Sequence, residues 1–196
     1  MTDFYSAGSI PEPLPLVADA SARFYVVSRR KLAILYLATL GIYGLYWFYQ
    51  NWARYNRHCP DAKQAGNGIW PIPRAIFSVF FTHDLFAKIH HHGRGSPFVA
   101  GWDHRPQATI LVVLTLVSNG LNRLSMKEVG SPYTDILSLV LLLPLLNSLM
   151  QVQEMINASC RDPEGKTNAA LGAANYAWII GGALFWVLVI IGLLLG

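Results

Sequence analysis

From residue 173 to residue 195 the chain runs without a single charged side chain. As a helix that stretch rises about 34 Å, enough to cross a hydrocarbon layer of about 30 Å. A helix on a water-soluble domain keeps a polar face, and this one has none. Four further apolar blocks precede it, at about residues 32–52, 69–89, 108–124 and 136–155. The composition agrees: 53% of residues are hydrophobic and 13% charged, where a soluble domain carries about 25% charged residues. Lipid leaves unpaired backbone groups without water, so only helices or closed barrels can cross it. The expected fold is therefore all-α, a polytopic membrane helix bundle, with residues 23–196 as one helical domain. Residues 1–22 contain no Lys or Arg and several prolines. They read as a mobile tail, and no cleavable leader is read in them.

Four of the blocks read as clear spans. The second is ambiguous, because His83, Asp84 and Lys88 sit in its latter half. The cluster Arg29-Arg30-Lys31 stands at the edge of the first block, after Ser28, a good helix cap. Such a cluster resists translocation, which puts the N-terminus on the cytoplasmic side. With five crossings, nine of the 15 Lys and Arg fall on that side and six on the other. Five crossings is the favoured arrangement. Tyr43, Tyr46, Trp47, Tyr49 and Trp52 read as an interfacial aromatic belt. Gly41, Gly44, Gly181 and Gly182 leave room for close helix contact.

Phe24-Tyr25-Val26-Val27-Ser28, Thr39-Leu40-Gly41-Ile42-Tyr43 and Tyr46-Trp47-Phe48-Tyr49-Gln50-Asn51-Trp52 together resemble the opening of a family of small, uncharacterised bacterial inner-membrane proteins. Pro73, Arg74-Ala75 and Phe80-Phe81 continue the likeness. So do Gln153, Asn157, Asn168, Asn175 and the run from Gly181 to Trp186. The resemblance covers nearly all of the chain after residue 22. It implies a bacterial inner (plasma) membrane location and no established activity. Thr82-His83-Asp84-Leu85-Phe86 departs from it, since the family is more similar to Cys-Tyr-Ser-Leu-Phe there. The chain also resembles itself. Gln50, Asn56, Cys59, Asp61 and Asn67 recur 101 residues later as Gln151, Asn157, Cys160, Asp162 and Asn168, either a repeat of the kind found in membrane proteins or a coincidence among polar loop residues.

Ionisable and amide side chains near the bilayer are the candidate functional groups. His83, Asp84 and Lys88 form one set, with Asp84 and Lys88 spaced to pair on one helix face. Asn119 and Asn122 make a short polar face in the third block. Asn147, Gln151 and Glu154 make a longer one in the fourth, read either as interhelical glue or as the wall of a small polar cavity. His90, His91 and His92 with Asp103 and His104 invite a metal reading, but their spacing matches no zinc motif. They read as interfacial histidines, and neither metal nor cofactor is expected. Cys59 and Cys160 read as unpaired thiols in polar loops. No nucleophile elbow, phosphate loop, dinucleotide fingerprint or zinc-protease motif occurs, so no enzyme is expected. The net charge of +4 has no clustered basic face for nucleic acid. Its Lys and Arg lie beside apolar blocks, where anionic headgroups are their partners. Two functions fit: a non-enzymatic membrane interaction or assembly module that associates with other membrane proteins or with itself, and a small transporter or ion-conducting protein using the polar residues of the second to fourth blocks.

Overall fold

The computed structural model describes residues 23–59 and 69–195, with side chains to residue 192. The tail expected over residues 1–22 lies outside the described residues. Regular structure among the described residues is helical throughout: α1 (Arg29–Ala38), α2 (Tyr43–His58), α3 (Pro71–Ile76), α4 (Ser78–Gly93), α5 (Pro97–Ala100), α6 (His104–Ser125), α7 (Tyr133–Val140), α8 (Leu142–Ser159), a 3-10 turn (Lys166–Asn168) and α9 (Ala173–Leu195). The all-α expectation holds.

The first apolar block is not one helix. Ser28 caps α1, its hydroxyl accepting the Lys31 N–H at 3.3 Å. Ten residues later the helix stops. Leu40 (φ 52°) and Gly41 (φ 86°) are both left-handed, a conformation that cannot continue a right-handed helix. The Gly41 N–H closes back onto the Tyr36 carbonyl at 2.8 Å. The chain then reverses into α2. Against α8, the Arg29 end of α1 meets Glu154 and the Gly41 end meets Leu142. On the way back, the Trp47 indole reaches Gln153 and Tyr55 stacks on Phe24, just before α1. Both ends of the 32–52 block therefore lie beside the same end of α8, and the block is a helical hairpin.

The second block repeats the manoeuvre. Pro71 starts α3, where a missing N–H costs nothing, and the backbone leaves the helical region at Phe77 (φ −96°, ψ 37°). α3 runs antiparallel to α2: Ile69 donates to Asn56 and the Arg74 guanidinium lies 4.4 Å above the Trp52 ring. α4 then returns to the starting end. There a Cβ on Gly93 would lie 2.9 Å from Ser159.

Among the described residues three helices are long and apolar enough to cross a membrane: α6, α7 with α8, and the stretch Ala173–Gly192 of α9. The expected four or five are not supported. The cause is the two chain reversals, which split blocks of sufficient total length into pieces of at most 16 residues. Block three extends slightly beyond its expected limits. Block four is interrupted at Leu141, three residues before Pro144, whose ring cannot donate to the carbonyl of residue 140. α9 has the expected bounds. α6 and α8 form an antiparallel hairpin, pinned by Gln107 to Ser148 at one level and Ser125 to Asp135 at the other. α9 runs parallel to α1. Trp186 donates to the Leu37 carbonyl at 2.9 Å, and Gly182 sits so close to Ala38 that any Cβ there would strike its carbonyl.

The core is concentrated where α2, α4 and α8 end together. Phe24, Trp47, Trp52, Tyr55 and Phe86 are fully buried there, and the Phe24 ring contacts both Tyr55 and His92. The opposite half, toward the α6–α7 turn, is loosely filled.

Candidate functional site

Two polar assemblies occupy opposite halves of the molecule. The first surrounds Phe24–Val27, which is extended and buried but has no neighbouring strand. Buried backbone groups need partners, and here side-chain amides supply them. Asn51 accepts the Tyr25 N–H at 3.0 Å. Gln153 donates to the Tyr25 carbonyl at 2.9 Å and accepts from the Trp47 indole at 2.6 Å. Asn157 donates to the Val27 carbonyl at 3.0 Å and accepts its N–H at 3.4 Å, imitating a paired strand with one side chain. Asn168 donates to the Val26 carbonyl at 2.9 Å and accepts from the Lys31 ammonium at 2.7 Å.

The turn after α8 closes over this segment. Gly165, at φ +66°, lies so near Val27 that a Cβ would sit 2.6 Å from its backbone. Asp162 holds the turn by accepting from the N–H groups of Lys166 and Thr167 and from the Thr167 hydroxyl. Slight burial pulls the Asp162 carboxyl upward, but these hydrogen bonds outweigh it and hold the group below its usual value. Cys59 and Cys160 do not lie in open loops. Each follows the last turn of a helix, α2 and α8, and both are buried. Burial pushes the Cys160 thiol up, so it stays protonated and slow to react.

The candidate residues separate. Asp84 pairs with Lys88 at 3.7 Å, as its spacing suggested, and more closely with Arg74 at 2.7 Å. His83 is exposed, with Nε2 3.2 Å from the Thr109 hydroxyl. Asn147 and Gln151 are exposed on α8, and Glu154 meets Arg29. Of the stripe read as glue or cavity wall, Glu154 thus links α8 to α1, and Asn147 and Gln151 face outward. The inward polar face of α8 is Ser148, Gln153 and Asn157. Their signal was the four-residue spacing of Gln153 and Asn157, which that stripe obscured. His90 and His104 stack with ring centroids 4.7 Å apart. Among the described residues no three His, Cys, Asp or Glu come together as metal ligands.

Asn119 and Asn122 belong to the second assembly. A cavity of about 1090 Å³ opens above the turns of the two N-terminal hairpins, between α6, α7, α8 and α9. Its polar wall is the α6 face carrying Thr115, Ser118, Asn119, Asn122 and Ser125, faced by Asp135 on α7. The spacing of three and four residues puts those α6 side chains on one face. Leu45, Phe48 and Leu142 form the apolar wall. Asp135 accepts hydrogen bonds from Ser125 and Ser131. Thr115, Ser118 and Asp135 were not among the residues singled out from sequence.

Two of the pairs at the 101-residue offset, Asn56 with Asn157 and Cys59 with Cys160, hold similar stations. Asn56 near the end of α2 takes the Ile69 N–H, as Asn157 near the end of α8 takes that of Val27. Asp61 and Asn67 lie outside the described residues. No protein-family model, curated protein or solved structure matches this chain.

Proposed function

We propose that this chain is a non-enzymatic inner-membrane module with three crossings, α6, α7–α8 and α9, whose two N-terminal hairpins enter the bilayer from the cytoplasmic side and turn back halfway. The module holds a membrane-embedded ligand or partner in the cavity above those hairpins. The observation that carries this reading is the reversal at Leu40-Gly41. It returns α2 to the end of α8 where α1 began. Non-helical backbone at membrane depth is tolerated where protein buries it or a cavity adjoins it, and this half-buried turn lines the cavity.

Charge supports the same arrangement. Among the described residues, Arg123 and Lys127 are the only Lys or Arg near the α6–α7 turn, and the others lie toward the opposite end. That is a far stronger bias than five crossings provide, and it supports a cytoplasmic N-terminus. The transport reading has less support. α2 and α8 run in the same direction, so the similar segments are not inverted. The cavity also ends on the turns of the two hairpins, at Leu40, Gly41, Ile76 and Ser78.

One position separates the topologies. Arg57 is exposed at the end of α2. Three crossings put it in the cytoplasm, and five put it outside. Arg57→Cys, with Cys59 and Cys160 replaced by Ala, should resist a membrane-impermeant maleimide in right-side-out vesicles. Lys127→Cys should label readily in the same background. Labelling of Arg57→Cys as fast as Lys127→Cys would restore the five-crossing arrangement.

A further inference from the structure

The cavity is electrostatically one-sided. Glu128 and Asp135 line it, and no Lys, Arg or His among the described residues does. Neither acid has a basic partner among the described residues; Asp135 is met only by the Ser125 and Ser131 hydroxyls. A cleft lined by one sign of charge gathers the opposite charge at its mouth. Ser118, 7% exposed, also lines the cavity. Its hydroxyl makes no hydrogen bond among the described residues and opens onto the cavity. An anionic ligand would meet two carboxylates and no base. A cation would supply what both acids lack. Facing them, Leu45 and Phe48 offer an apolar wall. The volume of 1090 Å³ lies near the upper end of the range for small-molecule sites, about 300–1,000 Å³.

We propose that this cavity binds a lipophilic cation, with an amine or quaternary ammonium head held at Asp135 and a hydrocarbon tail laid along Leu45 and Phe48. This rests on the three-crossing reading, which opens the cavity toward the outer half of the bilayer. The head would complete the hydroxyl-carboxylate cluster. The tail would stay in an environment as apolar as the lipid it left.

The test uses the full chain in nanodiscs of zwitterionic lipid. Three photoactivatable probes share one dodecyl tail and differ in head: trimethylammonium, glucoside and sulfonate. Labelled residues are mapped by mass spectrometry. The ammonium probe should label residues 111–145 at least tenfold more than the sulfonate probe, and Asp135→Asn should remove that preference. Ser118→Leu, which removes the hydroxyl, narrows the polar wall and leaves both acids in place, should weaken labelling by the ammonium probe severalfold without lowering the melting temperature. Equal labelling by all three heads, unchanged in Asp135→Asn, would overturn the cation preference while leaving the cavity and the three-crossing reading intact. Absence of labelling by any probe would overturn both. Lipid extracted from the purified protein separates two sources of the ligand. An amine-headed lipid retained by the natural chain and lost from Asp135→Asn marks a membrane lipid. Probe binding without such a lipid marks an exogenous cation. Either result upholds the proposal.

Discussion

Asn157 shows why residue identity matters more than residue class in this chain. Its amide both donates to and accepts from Val27 and also accepts from Gln153 at 2.7 Å. A side-chain amide carries donor and acceptor on one planar group in the arrangement a peptide presents. Asn157→Ala should strand the Val27 N–H and carbonyl in the core. Each unpaired buried group costs about 1–3 kcal/mol, so the variant should lose roughly 2–4 kcal/mol. Gln151→Ala, one and a half turns away on the exposed face, should change stability by less than about 0.5 kcal/mol. Thermal unfolding in neutral detergent, followed by helical circular dichroism, measures both. Similar losses from the two variants would mean that the amides do not hold the extended segment. Asn157 and Gln153 were visible in the sequence as part of a resemblance, but not as a site. Their partners are the backbone atoms of Tyr25 and Val27, about 130 positions away, and no local pattern announces a contact with backbone. The stripe Asn147, Gln151 and Glu154 was easier to see because its repeat is local, and only Glu154 of it reaches another helix, at Arg29.

At the scale of the element, what was legible depended on whether apolar length and helical length coincide. They coincide in α9, whose expected and observed limits are the same, and nearly so in α6. They part company in the first block, where Gly41 read as a place for close helix contact. Its actual use is the positive φ of a reversal shared with Leu40. A sum of apolar residues cannot register that turn, because Leu40 scores as apolar while adopting a conformation that ends the helix. The glycines of α9 divide in the same way. A Cβ on Gly182 would strike the Ala38 carbonyl, whereas one on Gly181 meets open space. Gly182→Ala should therefore push α9 away from α1 and cost about 1–3 kcal/mol, as overpacking does. Gly181→Ala should be neutral to within about 0.5 kcal/mol. Protease sensitivity of the 166–172 turn, read beside the melting temperature, would register the detachment. Equal behaviour of the two variants would mean that α9 does not dock through this glycine.

The whole molecule is layered along the direction of its long helices, and the layering follows from where aromatic and amide side chains fall. The half that holds Phe24, Trp47, Trp52, Tyr55, Gln153 and Asn157 is densely packed, with its polar atoms largely paired. The half that holds the α6–α7 turn has a cavity instead of a core, and α7 has no buried residue. Local opening costs little where few apolar contacts must break and much where many must. Hydrogen exchange in nanodiscs should therefore be graded along the molecule. The amides of residues 47–55 and 149–157 should be protected to near the global unfolding limit. Those of residues 126–138 should exchange orders of magnitude faster. A cation seated at Asp135 should slow exchange in α7 and leave the slow set unchanged, since a ligand stabilises only the states that bind it. Slow exchange of α7 in the empty protein would mean that the upper half is filled by its own packing, and the cavity would lose its claim to a ligand. Fast exchange at Gln153 and Asn157 would mean that the hairpins do not form a sealed floor. Passage through the protein would then be the better reading of the polar residues above them.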